Sequence, residues 1–191
     1  MGVNKMKLDI QKRETRSKSA VKAMRREKQI PAVIYHRSKD AEMISLDATL
    51  FSAMLREVVP GRLSTTLFVL KDAKGAERRA IIKDIQYNPV TYDVIHLDFE
   101  ELIPDVTVNV KVPVECINIA DCNGIKLGGF LRQVIRHVKV NCLPKDIPTH
   151  FELDIKNMVL YDQKRIKDLA IPQTLRPLVN LNEVIVVIAK R

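Results

Sequence analysis

The chain has no tryptophan, and its 191 residues include only five phenylalanines and four tyrosines. That scarcity argues against the broad base-stacking platforms of single-strand binders. Cysteine is also rare: Cys116, Cys122 and Cys142 are an odd number, and no two stand at a CxxC spacing. Neither a zinc ribbon nor a disulfide framework fits, so they read as buried or incidental thiols in a reducing compartment. No apolar run approaches the ~18 residues that cross a bilayer. The first residues include lysines but no uninterrupted apolar core, so no secretory signal is expected. Asp9, Glu14 and a strand-like start at Met6 speak against an Arg-rich transit peptide. Catalytic signatures are missing too: there is no HExxH, GxSxG, P-loop or GxGxxG. The one glycine cluster, Gly124 to Gly129, lacks Walker spacing and reads as a turn. His36, His96, His137 and His150 are scattered, with no metal-ligand spacing among them.

What is present is a sizeable apolar fraction, 46%, enough for a real core. The length suits one large domain or two of ordinary size. The net charge of +9 is unevenly spread. Residues 1–28 hold ten Lys and Arg against three Asp and Glu, and residues 29–99 hold nine of each. Residues 100–191 hold thirteen against eleven. A surplus of +7 on one short segment is an electrostatic footprint, and its first candidate partner is a polyanion.

Met6 to Lys12 alternates loosely as a strand. Ser17 or Ser19 can cap a helix running to about Gln29, and Pro31 is expected to end that element. At about 100° per residue, Lys18, Lys22 and Arg25 share an arc of about 60° with Arg26 beside it. Val21 and Met24 face elsewhere and are free to pack. Ala32 to Tyr35 reads as a buried strand partnered by Glu42 to Leu46. Asp47 caps a second helix whose apolar stripe is Leu50, Phe51, Met54, Leu55 and Val58, and Pro60-Gly61 terminates it. Thr65 to Leu70 and Arg78 to Gln86 form a hairpin around Lys71 to Gly75, and Val94 to Phe99 is a further strand. Composition changes near residue 100. Val106 to Val114 alternates clearly, with Pro113 expected at a sheet edge or bulge. Leu131 to Leu143, Phe151 to Ile155 and Val184 to Ala189 read as strands, and Gln163 to Leu169 as one or two helical turns. The chain is therefore expected to be mainly β with short helices, in two domains: 1–99 and a β-rich 100–191.

Three segments can carry chemistry, and each has more than one reading. The basic helix is a nucleic-acid surface, an ordinary solvated face or an acidic-membrane surface, the last disfavoured by its thin apolar side. His96 and Asp98, at i and i+2 of a strand, project together. They form an exposed strand face, a hydrogen-bonding pair for base edges or an acid–base dyad. Tyr35 either stacks on or donates to a ligand, or it is a core-edge tyrosine.

Several motifs nevertheless stand together. They are Lys18-x-Ala20-x-Lys22-x-Met24-Arg25-x(5)-Pro31-Ala32-Val33-Ile34-Tyr35, Ile44-Ser45-Leu46-Asp47, Asp84-Ile85-Gln86-Tyr87-Asn88-Pro89 and His96-Leu97-Asp98-Phe99. In this order they resemble the bacterial large-subunit ribosomal protein family L twenty-five, which binds 5S rRNA. Val108 to Val114, Leu127-Gly128-Gly129, Cys142-Leu143-Pro144-x(2)-Ile147-Pro148, Leu153-Asp154-Ile155 and Asp168-Leu169-x-Ile171-Pro172 resemble the extra domain of its long form, also called general stress protein CTC. The resemblance implies a six-stranded β-barrel-like domain that binds a duplex-like region of 5S rRNA from its minor-groove side, followed by a β-rich domain. It implies RNA contacts at Arg13, Lys18, Ser19, Lys22, Arg25, Tyr35, His96 and Asp98. It also implies a cytoplasmic, ribosomal location, no catalysis, no cofactor or metal, and other ribosomal proteins as partners of the second domain. The alternative is a stress-induced ribosome-associated factor whose second domain contacts another protein. The chain departs from the family pattern at Ser17 and Ser19 (often glycine) and at Ala23 (often arginine). Further departures are Lys28 (often glycine or asparagine), His36 (often glycine) and Tyr87-Asn88 (often Arg-His).

Overall fold

A computed structural model describes residues 5–13, 17–36, 39–73 and 75–190. Glu14 and Lys74 lie outside the described residues. The chain forms two compact units, 1–106 and 107–191.

The first unit has six strands: β1 (Lys5–Lys12), β2 (Gln29–His36), β3 (Lys39–Asp47), β4 (Leu67–Asp72), β5 (Glu77–Tyr87) and β6 (Val94–Glu101). They close into a barrel in the order β1-β3-β2-β6-β5-β4. Two seams are parallel, β1 with β4 and β2 with β6, and the remaining pairs are antiparallel. Closure leaves no exposed sheet edge, and alternate residues fill the interior. Ile10, Ile34, Ile44, Leu70, Leu97 and Phe99 are all essentially inaccessible. Two helices interrupt the strand sequence: α1 (Lys18–Arg26) between β1 and β2, and α2 (Ala48–Glu57) between β3 and β4.

Asp47 caps α2 by accepting from the amides of Thr49 and Leu50 at 2.7 and 2.9 Å. The helix buries Phe51, whose ring stands 6.5 Å from that of Phe68. Met54, Leu55 and Val58 pack partly on the same core, but Leu50 is 55% exposed. The apolar stripe is therefore one residue narrower than its periodicity implies. Pro31 also does not end α1. The helix stops at Arg26, with Lys28 in the left-handed region at φ 58°, and Pro31 lies inside β2 opposite Ser45. Thr65 belongs to a single 3₁₀ turn, Leu63–Thr65, rather than to β4.

The second unit has two sheets. Its strands are β7 (Val108–Ile117), β8 (Gly129–Gln133), β9 (His137–Cys142), β10 (Phe151–Asp154), β11 (Gln163–Arg165), β12 (Arg176–Pro177) and β13 (Val184–Lys190). One sheet is ordered β10-β7-β9-β12 and the other β11-β13-β8. The expected strand from Leu131 to Leu143 is thus two strands in different sheets. The segment from Gln163 is a short strand followed by one 3₁₀ turn, Ile166–Asp168. Pro113 lies in an inner strand of its sheet, at a point where that strand is paired on one side only, so the position is a local edge rather than a bulge. The ladder to β9 ends there and the ladder to β10 begins at Val114, so its missing N–H falls at the handover. None of the three cysteines forms a disulfide, and Cys122 and Cys142 are buried.

The short helix α3 (Asn123–Lys126) and β8 are joined by a glycine contact that tolerates no side chain. A Cβ on Gly129 would lie 2.7 Å from the carbonyl oxygen of Gly124 and 2.7 Å from Cδ2 of Leu160. Gly129→Ala is accordingly expected to destabilise the protein by about 1–3 kcal/mol. An unchanged urea midpoint would show that β8 can shift to make room.

Candidate nucleic-acid interface

The surface begins just past the end of β1. Arg13 is bound to β3 by its amide on the Met43 carbonyl (3.0 Å) and by Nε on the Ile44 carbonyl (3.1 Å). Burial, and then the charge of Arg25, hold its pKa below the ordinary arginine value. Two guanidinium groups are therefore held close enough to repel one another, which favours an anion beside them.

Helix α1 opens on Ser17, whose hydroxyl accepts from the Ala20 amide at 3.3 Å. Ser17 has ordinary extended backbone angles, so the serine fits where the family pattern often has glycine. Lys18, Ser19 and Lys22 are exposed. Neither lysine has an ion-pair partner among the described residues. The helix buries none of its residues fully; Ala20, Val21 and Met24 are half-buried, on the side opposite the cations. Its position is fixed instead by Arg25, which donates Nε and Nη2 to the carbonyl of Ile95 in β6 at 3.2 and 2.9 Å. That fork ties the basic helix to the strand that carries His96 and Asp98.

Beside it, the outer faces of β2, β6 and β5 form a wall. Register places Val33 opposite Asp98 and Tyr35 opposite Glu100 across the parallel seam. On the other side of β6, Asp84 faces Asp98 and Gln86 faces His96. His96 Nδ1 and Asp98 Oδ1 are 2.9 Å apart, in contact but without the alignment of a hydrogen bond. Lys83 pairs with Glu100. Tyr35 and His96 are half-buried. The structure thus brings Arg13, Lys18, Ser19, Lys22 and Arg25 together around α1, and Tyr35, His96 and Asp98 together on the adjoining wall. Asp84, Gln86, Lys83 and Glu100 join that wall without having been singled out. For Asp84, Gln86 and Glu100 the cue is the same i, i+2 alternation, but it needs the β5–β6 register, which two irregularities shift; Lys83 lies at the first of them, between Ile82 and Asp84.

The wall is polar and partly acidic, and this acts on Tyr35. Burial first, then Asp98, Glu100 and Asp84, raise its pKa above the ordinary tyrosine value. The phenol therefore stays a neutral hydrogen-bond donor through the physiological range. Because the folded-state pKa is the higher one, its contribution to stability is complete below the ordinary tyrosine pKa. That contribution is lost as pH rises through the folded value. Asp98→Asn is expected to lower the Tyr35 ionisation pH. Ultraviolet difference titration of the phenolate, with Tyr35→Phe identifying the signal, checks this; an unmoved titration would rule out coupling to Asp98.

Among the described residues, no group of three or more His, Cys, Asp or Glu side chains is placed to hold a metal ion. No helix among them is long and apolar enough to cross a membrane. What the surface offers is cations on a helix, and a tyrosine hydroxyl, an imidazole and carboxylates on a wall. That set suits phosphates together with ribose and base-edge groups.

Comparison with known proteins agrees in both units. The model of the Ribosomal L25p family matches residues 8–99, and that of the ribosomal protein TL5 C-terminal domain matches residues 107–191. Large ribosomal subunit protein bL25 of Chlamydia trachomatis serovar L2 is 47% identical over 186 residues, spanning 97% of this chain and 100% of the relative. The proteins of that name from Chlamydia abortus and Chlamydia muridarum are 47% and 45% identical over the same lengths. With both halves matched in order and nearly the whole length shared, the chain belongs to the ribosomal L25p family, in the long form that carries a TL5-type C-terminal domain.

Proposed function

We propose that this protein is a structural constituent of the bacterial large ribosomal subunit, and that it binds 5S rRNA through α1 and the outer wall of β2, β6 and β5. The ribosomal role is supported by relatives named for the large subunit, which also places the protein in the cytoplasm and makes its role architectural rather than enzymatic. The observation that carries the RNA reading is the Arg25 fork. It anchors a basic helix face, whose lysines have no ion-pair partner among the described residues, to β6 beside His96 and Asp98.

Division of labour follows from the chemistry. Lys18, Lys22 and the outward part of Arg25 meet phosphates and set register. Tyr35 donates its hydroxyl or stacks on a ribose or base. His96 and Asp98 read amino and acceptor groups in the shallow groove of an A-form-like helix. An anionic Asp98 belongs on such a surface when it accepts from an exocyclic amino group or orients His96.

Binding of the full chain to 5S rRNA and to a tRNA of similar size tests the reading. Selective binding of 5S rRNA is expected. Lys22→Ala and Arg25→Ala should weaken it broadly, and Tyr35→Ala should reduce selectivity more than either. Equal affinity for tRNA, or wild-type binding by all three variants, would move the site elsewhere.

A further inference from the structure

At the end of the barrel nearest the C-terminus of α1, a cleft of about 570 Å³ opens between that helix end, α2 and the loop joining β5 to β6. Arg25, Lys28 and Arg56 line it, against one acid, Asp93. Neither Lys28 nor Arg56 has an ion-pair partner among the described residues. Thr49, Ser52, Ala53 and Arg56 fall on one side of α2 at i, i+3, i+4 and i+7. Small residues there leave the helix open to close approach, with two hydroxyl donors beside the Arg56 cation. The floor is apolar, from Ile30, Val94 and Ile95. The cleft is held in shape by the Lys28 carbonyl, which accepts from the Ala48 amide at 2.8 Å and so joins the end of α1 to the start of α2.

Arg25 belongs both to the cationic face of α1 and to this cleft. The basic surface is therefore continuous around the end of the barrel. The donors are cations and hydroxyls, the groups that meet phosphate oxygens, and ribose carbons suit an apolar floor. We propose that the cleft is a second phosphate-binding surface, over which a backbone strand of the same RNA passes as it leaves the α1 face. This rests on the RNA-binding reading above. It adds Lys28, Ser52 and Arg56 as sequence-independent contacts, and it gives the lysine that stands where the family often has glycine or asparagine a place in binding.

The test uses the full chain and 5S rRNA. In the Lys28→Gln/Arg56→Gln double variant, the slope of log affinity against log salt should become shallower by about 2, about 1 for each phosphate no longer met by a cation. Hydroxyl-radical protection of riboses should shrink at one end of the footprint while the Lys18/Lys22-dependent part remains. Ser52→Glu, which keeps every cation, should weaken binding in the same direction. The proposal is overturned if the double variant and Ser52→Glu leave slope and footprint unchanged while Lys18→Gln/Lys22→Gln weakens binding; the cleft would then suit another partner, such as an acidic peptide. If the Lys18/Lys22 variant is also without effect, the RNA-binding reading itself fails and this proposal with it.

Discussion

Raising the salt from about 50 to about 200 mM is expected to weaken 5S rRNA binding by about 250-fold. The figure follows from counterion release. Lys18, Lys22, Arg25 and Arg26 on α1, with Arg13 beside Arg25, are about five cations facing a polyanion, which gives a log–log slope of about −4. The cleft cations would steepen it by about 1 each. The effect is large because the basic surplus is local: residues 1–28 carry net +7 and residues 29–99 carry none. Filter binding or calorimetry across a salt series measures the slope directly. A flat dependence would remove the electrostatic basis of the site, whatever the sequence likeness.

The second large effect is on stability. Phe68→Ala should cost the protein about 3–5 kcal/mol. Phe68 is 1% exposed, with the ring of Phe51 6.5 Å away and that of Phe99 6.1 Å away in an edge-on arrangement. Removing it opens a cavity where α2 meets the barrel wall, and both ring–ring interactions disappear along with the buried area. Against a typical total of about 5–15 kcal/mol this is a major fraction. Since the chain has no tryptophan, circular dichroism in a urea series is the suitable readout. Leu50→Ala, in the same helix but on an exposed residue, should change stability by under about 0.5 kcal/mol. Comparable losses for the two would mean that α2 sits differently on the barrel.

That contrast also shows what the sequence could reveal. Apolar runs, loose alternation at Met6 to Lys12 and the turn chemistry of Lys71 to Gly75 located nearly every strand of the first unit, because each strand puts apolar residues into the barrel. Asp47 announced α2 because a carboxylate before a helix has a specific backbone partner. Two things were hidden. Helix α1 ends just before Lys28, which is in the left-handed region, rather than at Pro31; a lysine does not signal that, and the cue is only in the glycine or asparagine that the family often has there. The strand order, with its two parallel seams, depends on pairings between distant segments, which periodicity does not report; only the resemblance supplied the barrel. For the site, His96 and Asp98 follow from spacing within one strand. Asp84 and Gln86, which stand opposite them, do not, since the irregularities at Ile82/Asp84 and Gln86/Tyr87 set which residues meet.

The anchor of α1 has a consequence for the order of assembly. The carbonyl that holds Arg25 lies 70 residues further along the chain, and the strand containing it is the last of the barrel to be synthesised. Long-range closure of this kind is slow compared with helix formation. The helix cations therefore exist well before they have a fixed direction, and the wall bearing His96 and Asp98 arrives together with the anchor that orients them. An emerging chain is thus only a loose polycation until β6 docks. On the proposed RNA-binding role, the step that completes the barrel is also the step that turns general attraction to a polyanion into a shaped surface.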